Sequence, residues 1–225
     1  MPAHMSIRSE EKKKHIRERA RGVFAQKGFR TVTMKDIVDA CGISRGGLYL
    51  YYPDTKTLFL DILRTEKEEA GGVIEEAIAS GASAGEILWL FLEEQKRELL
   101  RSGDTLALAT YEYAFGEKDD EYLQTQFDEA VRVIELLVRG GVRSGEFVCG
   151  DPAGFAREVM YIIEGLKICA LTMDMTEEKA DGTIGAILAR LTARPDNGER
   201  ESSRSEPKRS GQASKNGKKR RRDNE

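Results

Sequence analysis

Arg45 is followed by Gly46 and Gly47, with Tyr49 and Tyr51 close behind, so one guanidinium stands beside two positions that lack side chains and two phenols. A planar fork of donors suits the paired acceptors on a guanine edge, where a bidentate contact gives roughly 1–3 kcal/mol of discrimination. Hydroxyls and side-chain-free backbone suit close approach to phosphates. Each glycine costs an exposed helix about 0.8–1 kcal/mol against alanine, a cost that close approach to a partner would offset unless the pair merely shortens an unstable helix. The chemistry on offer is recognition by hydrogen bonds.

The elements that must position these residues are two short helices around one turn. Met34, Ile37, Val38 and Cys41 fall at i, i+3, i+4 and i+7 and form one apolar stripe, while Thr33 with Asp36 three residues on makes an amino-terminal cap. Gly42 stops that helix because glycine accepts the left-handed conformation of a sharp helix end. Ile43 then turns toward the core, and Ser44 caps a second helix beginning at Arg45, which buries Leu48 and exposes Arg45, Gly46, Gly47, Tyr49 and Tyr51. This is the grammar of a helix-turn-helix, whose second helix enters a major groove. A preceding helix is expected from about Ser9 to Lys27, with Ile16, Ala20, Val23 and Phe24 inward and Lys12, Lys13, Lys14, Arg17 and Arg21 around the rest. After Pro53 breaks the chain, Asp54 can cap a long fourth helix carrying Leu58, Phe59, Ile62, Leu63, Ala70, Val73, Ile74 and Ile78 as its apolar stripe.

With an amphipathic first helix, Lys27-Gly28-Phe29, Thr33, the Gly42 turn, Leu48-Tyr49 and Tyr51-Tyr52-Pro53 in this order, residues 8–64 resemble the TetR family of one-component transcriptional regulators. The resemblance implies an all-α fold of about nine helices. An N-terminal three-helix helix-turn-helix DNA-binding domain over 1–53 would join a C-terminal helical ligand-binding and dimerisation bundle over 54–195. It further implies that Arg45 and Gly47 approach base edges of a double-stranded operator, with Gly46 beside them, while Thr33, Ser44, Tyr49 and Tyr51 approach phosphates. Family members carry a lysine two residues after the proline; here Thr55 stands there and Lys56 follows, so both enter as phosphate contacts. Repression relieved by a small hydrophobic or aromatic effector is the implied logic, with no cofactor and no metal.

Breaks near 80–85, 102–104, 116–120, 140–149 and 174–176 divide the remainder into about five more helices. Trp89, Tyr111, Tyr113, Phe115 and Tyr122 are candidate lining for an apolar or aromatic ligand, as are Phe127, Met160, Tyr161 and Met173. One stripe of Phe155, Val159, Ile162, Ile163 and Leu166, and another of Ile184, Ile187, Leu188 and Leu191, are expected to pair two subunits through a four-helix interface. A twofold axis then sets two heads roughly 34–36 Å apart on a palindromic site.

Charge supports this division. Residues 1–64 hold 13 Lys and Arg against 7 Asp and Glu, residues 65–195 hold 13 against 26, and residues 196–225 hold 10 against 6. A basic head suits phosphates, and an acidic middle keeps nucleic acid away from the bundle. The tail over 196–225, ending in Lys218-Lys219-Arg220-Arg221-Arg222, offers nothing to anchor a core and is expected to be disordered. Only His4 and His15 are present, and Cys41, Cys149 and Cys169 are far apart, which leaves neither a catalytic triad nor metal spacing; an enzyme is not expected. No apolar run reaches the roughly 18–20 residues that cross a bilayer, and the polar start lacks a secretory signal, so the expected location is cytoplasmic. The competing reading is an architectural DNA-binding protein indifferent to sequence, which would need no effector.

Overall fold

The computed structural model describes residues 3–101, 104–117 and 120–192, and among these every regular element is a helix. The order is α1 Ala3–Lys27, α2 Met34–Cys41, α3 Arg45–Tyr49, α4 Thr55–Ala79, α5 Ala84–Leu99, α6 Ala107–Glu117, α7 Asp120–Ser144, α8 Pro152–Thr172 and α9 Glu177–Thr192. The expected tail over 196–225 lies outside the described residues. Helix α1 begins at Ala3 rather than Ser9, and α7 runs through Gly140 and Gly141, where a break was expected. The reason for the second difference is local: the Phe147 ring occupies the space a side chain at 141 would fill, so the glycine packs inside a continuous helix.

Two apolar cores organise the described residues. The first gathers Ile16, Ala20 and Phe24 of α1, Ile37 and Leu48 of the turn, and Leu58, Phe59 and Ile62 of α4. It also takes Leu106 together with Ala109 and Tyr113 of α6, so the packing does not divide at Pro53. The second core is built by α5, α7, α8 and α9 around Leu88, Leu92, Ile134, Val138, Ile163 and Ile187.

This second core takes up most of the side chains expected at the subunit interface. Phe155, Val159, Ile163, Ile184, Ile187 and Leu191 are buried inside the protomer, and Ile162 and Leu188 pack partly against the same cluster; Leu166 is half-buried. Helical spacing identifies residues that share a face, not the surface that covers them. The outward face of α8 and α9 carries instead Tyr161, Ile168, Gly182 and Gly185, all exposed. The α4 stripe is also split: Leu58, Phe59 and Ile62 are buried, whereas Val73 and Ile78 are exposed.

A polar node fixes the head. Asp61 of α4 accepts from the Tyr52 hydroxyl at 2.7 Å, from Arg17 of α1 at 3.2 Å and from Arg64 at 2.5 Å. Burial and the adjacent carboxylate push the Tyr52 phenol up, and the same contacts, outweighing burial, hold Asp61 below the usual carboxylate range. Phe59 lies at the centre of the aromatic packing, 4.8 Å from Phe24, 5.1 Å from Phe29 and 5.9 Å from Tyr113 between ring centroids. Truncation of such a ring leaves a cavity as well as lost transfer energy, so Phe59→Ala should lower unfolding free energy by about 3–5 kcal/mol in chemical denaturation.

Candidate functional site

The head's turn is built as its sequence requires. The Thr33 hydroxyl accepts from the Asp36 amide at 3.3 Å, and the Asp36 carboxylate accepts from the Thr33 amide at 2.8 Å, a reciprocal cap that starts α2. Lys27 of α1 reaches the same carboxylate at 2.5 Å, and this ion pair with the Thr33 hydrogen bonds holds Asp36 well below the usual carboxylate range. Gly42 ends α2 at φ 64° with its amide on the Val38 carbonyl, and Ser44 opens α3 by accepting from the Gly47 amide at 3.1 Å.

These caps decide which side of α3 faces outward. Leu48 is fully buried, and on the opposite side Arg45, Gly46, Tyr49 and Leu50 are exposed, Tyr49 to 50% and Leu50 to 78%. No atom lies within 4 Å of the point where a Cβ on Gly46 would sit, so the protein itself does not demand glycine there. Gly47 differs: its Cβ would meet the Ser44 hydroxyl at 3.2 Å, so it serves the cap. Tyr51 is half-buried against the head core. Leu50, between Tyr49 and Tyr51, is absent from the sequence-based set; its exposure shows only once the end of α3 is placed.

Thr55 is the first residue of α4 and is half-buried, with Asp54 capping through the Thr57 amide at 2.7 Å. Lys56 does not point away from the head into solvent, since its ammonium lies 5.6 Å from the centroid of the Tyr113 ring. Nearby, Glu112 of α6 accepts from the Arg30 amide at 3.0 Å and fills the space beside Gly28, whose φ of 75° only glycine adopts readily.

A cavity of about 1060 Å³ opens between α4, α5, α6, α7 and α8. Trp89, Tyr111, Tyr122, Phe127 and Met160 line it, which brings together five of the expected ligand residues. The other four stand elsewhere. Tyr113 is fully buried in the head core, while Phe115, Tyr161 and Met173 are exposed to 76%, 61% and 68% outside the cavity. Side chains on one helix point in different directions, so aromatic content alone does not choose a wall. The exposed Val73 of α4 finds its role here as lining. Tyr111 donates to Glu164 at 2.7 Å, and burial beside that carboxylate raises its phenol. Burial, then the fields of Tyr113 and Glu66, push the Tyr122 phenol up to about 12. Glu66 also lines the cavity; burial raises its carboxyl, while Arg21 of α1 pulls the other way through an ion pair. Arg21 further joins Asp104 at 2.8 Å, which ties the head to the start of α6.

Comparison with known proteins adds three kinds of likeness. Residues 16–62 match the family described as bacterial regulatory proteins, tetR family, and residues 87–181 match that described as tetracyclin repressor-like, C-terminal domain. An uncharacterised helix-turn-helix transcriptional regulator of Bacillus subtilis, YfiR, is 33% identical over 177 residues, covering 76% of this chain and 85% of that protein. Among solved structures, a TetR transcription regulator from Haloarcula marismortui gives a TM-score of 0.69 at 19% identity, covering 81% of this chain and 98% of the other. The fatty acid degradation regulator FadR from Bacillus halodurans gives 0.66 at 15% identity, covering 81% and 97%. At such identities the solved structures share the fold alone.

Two measurements probe the head. Because the folded-state pKa of Asp36 is depressed, its contribution is complete above the unfolded carboxylate value of about 3.9 and disappears as pH falls through the folded value. The stability gap between the unaltered protein and Asp36→Asn should therefore be open at pH 7 and narrow in acid, followed by circular dichroism. Gly46→Ala should raise thermal stability, by about 0.8–1 kcal/mol, yet weaken binding to DNA; a variant that binds DNA as well as the parent would remove any reason for glycine at that position.

Proposed function

The chain belongs to the TetR family of transcriptional regulators, and from that membership we propose that it is a cytoplasmic repressor whose homodimer holds a palindromic operator until a small hydrophobic or aromatic effector enters the cavity and releases it. As a member of this family the protein is a DNA-binding regulator and not an enzyme. No described helix is long and apolar enough to cross a membrane.

The observation that carries the proposal is the outward face of α3. Arg45 supplies the fork for a guanine edge, Gly46 lets the backbone approach, and Tyr49 offers a hydroxyl to phosphate. Leu50 adds a second kind of reading, because the thymine methyl is the apolar group that a major groove presents. Thr33 and Ser44 join as capping residues at the amino ends of α2 and α3, where exposed hydroxyls and amides suit phosphate oxygens. For Thr55 the same position argument holds on α4, and Lys56 serves phosphate only by leaving the Tyr113 ring.

The homodimer reading is carried by the outward side of α8 and α9, where Tyr161, Ile168, Gly182 and Gly185 leave apolar and small surface uncovered. The cavity favours effector control over a sequence-indifferent architectural role, which has no use for a space of about 1060 Å³ behind the head. Coupling of about 1–3 kcal/mol between the sites would change operator affinity some 5- to 150-fold.

The test begins with a duplex selected from a random pool by the full chain. Arg45→Ala should lose discrimination at a guanine position by roughly 1–3 kcal/mol. Replacing thymine by deoxyuridine removes only a methyl; at one position per half-site it should weaken the parent protein severalfold and leave Leu50→Ser unaffected. Failure to select any sequence would count against operator binding as a whole, whereas a silent deoxyuridine scan would remove Leu50 alone.

A further inference from the structure

The cations of the head divide by whether a carboxylate already holds them. Arg17 is held by Asp61 at 3.2 Å, Lys27 by Asp36 at 2.5 Å, and Arg21 by both Glu66 and Asp104. Their charge is engaged inside the protein. Between α1 and α4 the cations are Arg30, Lys35 and Arg45; all three are exposed, and among the described residues no acid pairs with any of them. Lys35 lies on α2 and Arg45 on α3, whereas Arg30 stands in the link between α1 and α2.

That link forms one wall of a hollow of about 420 Å³, whose other walls are the start of α4 and the end of α6. It shares no lining residue with the cavity of the bundle. Thr55 and Lys56, both proposed above to meet phosphates, line the hollow together with Arg30. Two acids are present as well, but each is turned to a backbone amide: Asp54 accepts from Thr57 at 2.7 Å, and Glu112 accepts from the amide of Arg30 itself at 3.0 Å. Neither takes the guanidinium. Its Nε lies 3.5 Å from the point where a Cβ on Gly116 would sit, so the side chain rests beside α6 with no hydrogen bond or ion pair to fix it there. A planar fork of donors without an acceptor on the protein matches two oxygens of one phosphate.

We propose that Arg30 is a contact to the DNA backbone, its guanidinium turning from α6 across the hollow to a phosphate beside Thr55. This rests on the operator reading above and adds a residue to it. The contact carries no sequence information; it fixes the register of the head on the duplex from a segment outside both helices of the turn.

Salt dependence isolates such a contact, because each phosphate neutralised adds about 0.9 to the slope of log affinity against log salt, and packing adds nothing to it. With the full chain on the selected duplex, Arg30→Ala and Arg30→Gln should each flatten that slope by about 0.9 and weaken binding roughly five- to tenfold near 0.1 M salt, while Arg30→Lys keeps the slope. The same loss should appear on a random duplex, since a backbone contact serves all sequences alike. Arg139→Ala removes an equal charge from α7, where Glu135 pairs with it at 2.7 Å, and should leave the slope unchanged. Circular dichroism checks the helices; if Arg30→Ala loses them, Arg30→Gln carries the test. An unchanged slope in the neutral Arg30 variants, an equal flattening in Arg139→Ala, or a loss confined to the selected duplex would overturn the inference. If no sequence is selected, the operator reading fails by itself, and the slopes on random DNA still decide the role of Arg30.

Discussion

The burial of one ring, Tyr113, ties the two halves of this protein together. It sits fully inside the head core, edge-on to Phe29 at 5.1 Å and to Tyr122 at 6.0 Å between centroids. Its neighbours in sequence address different partners, because successive helical residues point about 100° apart. Tyr111 lines the cavity and holds Glu164, Glu112 takes the Arg30 amide beyond α1, and Tyr113 enters the head. Helix α6 is therefore shared by the binding space and by the frame under α3. Close-packed interiors pass displacement on rather than absorb it, so a shift of α6 cannot stay on one side.

Electrostatics divides the same molecule differently. The basic residues of α1 were expected to surround an exposed face, but the structure turns two of them inward: Arg17 joins Asp61, and Arg21 joins Glu66 and Asp104. Lys12 and Lys14 stay exposed on the same helix. Part of the head's positive charge is thus consumed in bracing α1 against α4, and the remainder faces outward. Partly buried pairs of this kind add little net stability beyond their desolvation cost, yet losing one partner leaves the other stranded, which makes them good registers of position.

The turn was legible from sequence because its signals are local. Thr33 with Asp36, Gly42, and Ser44 before Arg45 each fix a backbone geometry within a few residues, and no distant contact can change what they specify. The helices of the bundle were legible too, although Gly140 and Gly141, taken as a break, stay helical within α7, where the nearby Phe147 ring packs against Gly141. What the sequence could not supply was the partner of each apolar stripe. Phe155 and Ile187 have the periodicity of an interface and of a core alike, and the second core claims them. Tyr113 reads as cavity lining by composition, yet the phase of α6 sends it to the head.

The energy needed to switch such an arrangement is small beside the energy that builds it. Coupling of about 1–3 kcal/mol suffices for the whole regulatory range, whereas a single buried ring of the head core is worth about 3–5 kcal/mol. An effector therefore need not disrupt the core; it has only to bias contacts of ion-pair scale that already straddle the two regions. Arg21 with Glu66 and Asp104, and Glu112 with the Arg30 amide, are contacts of that scale, and they attach α1 and the segment that follows it to α4, α6 and the residues before α6. Rebalancing them can reorient α3 while the aromatic cluster stays intact, which is the condition for a reversible switch rather than local unfolding.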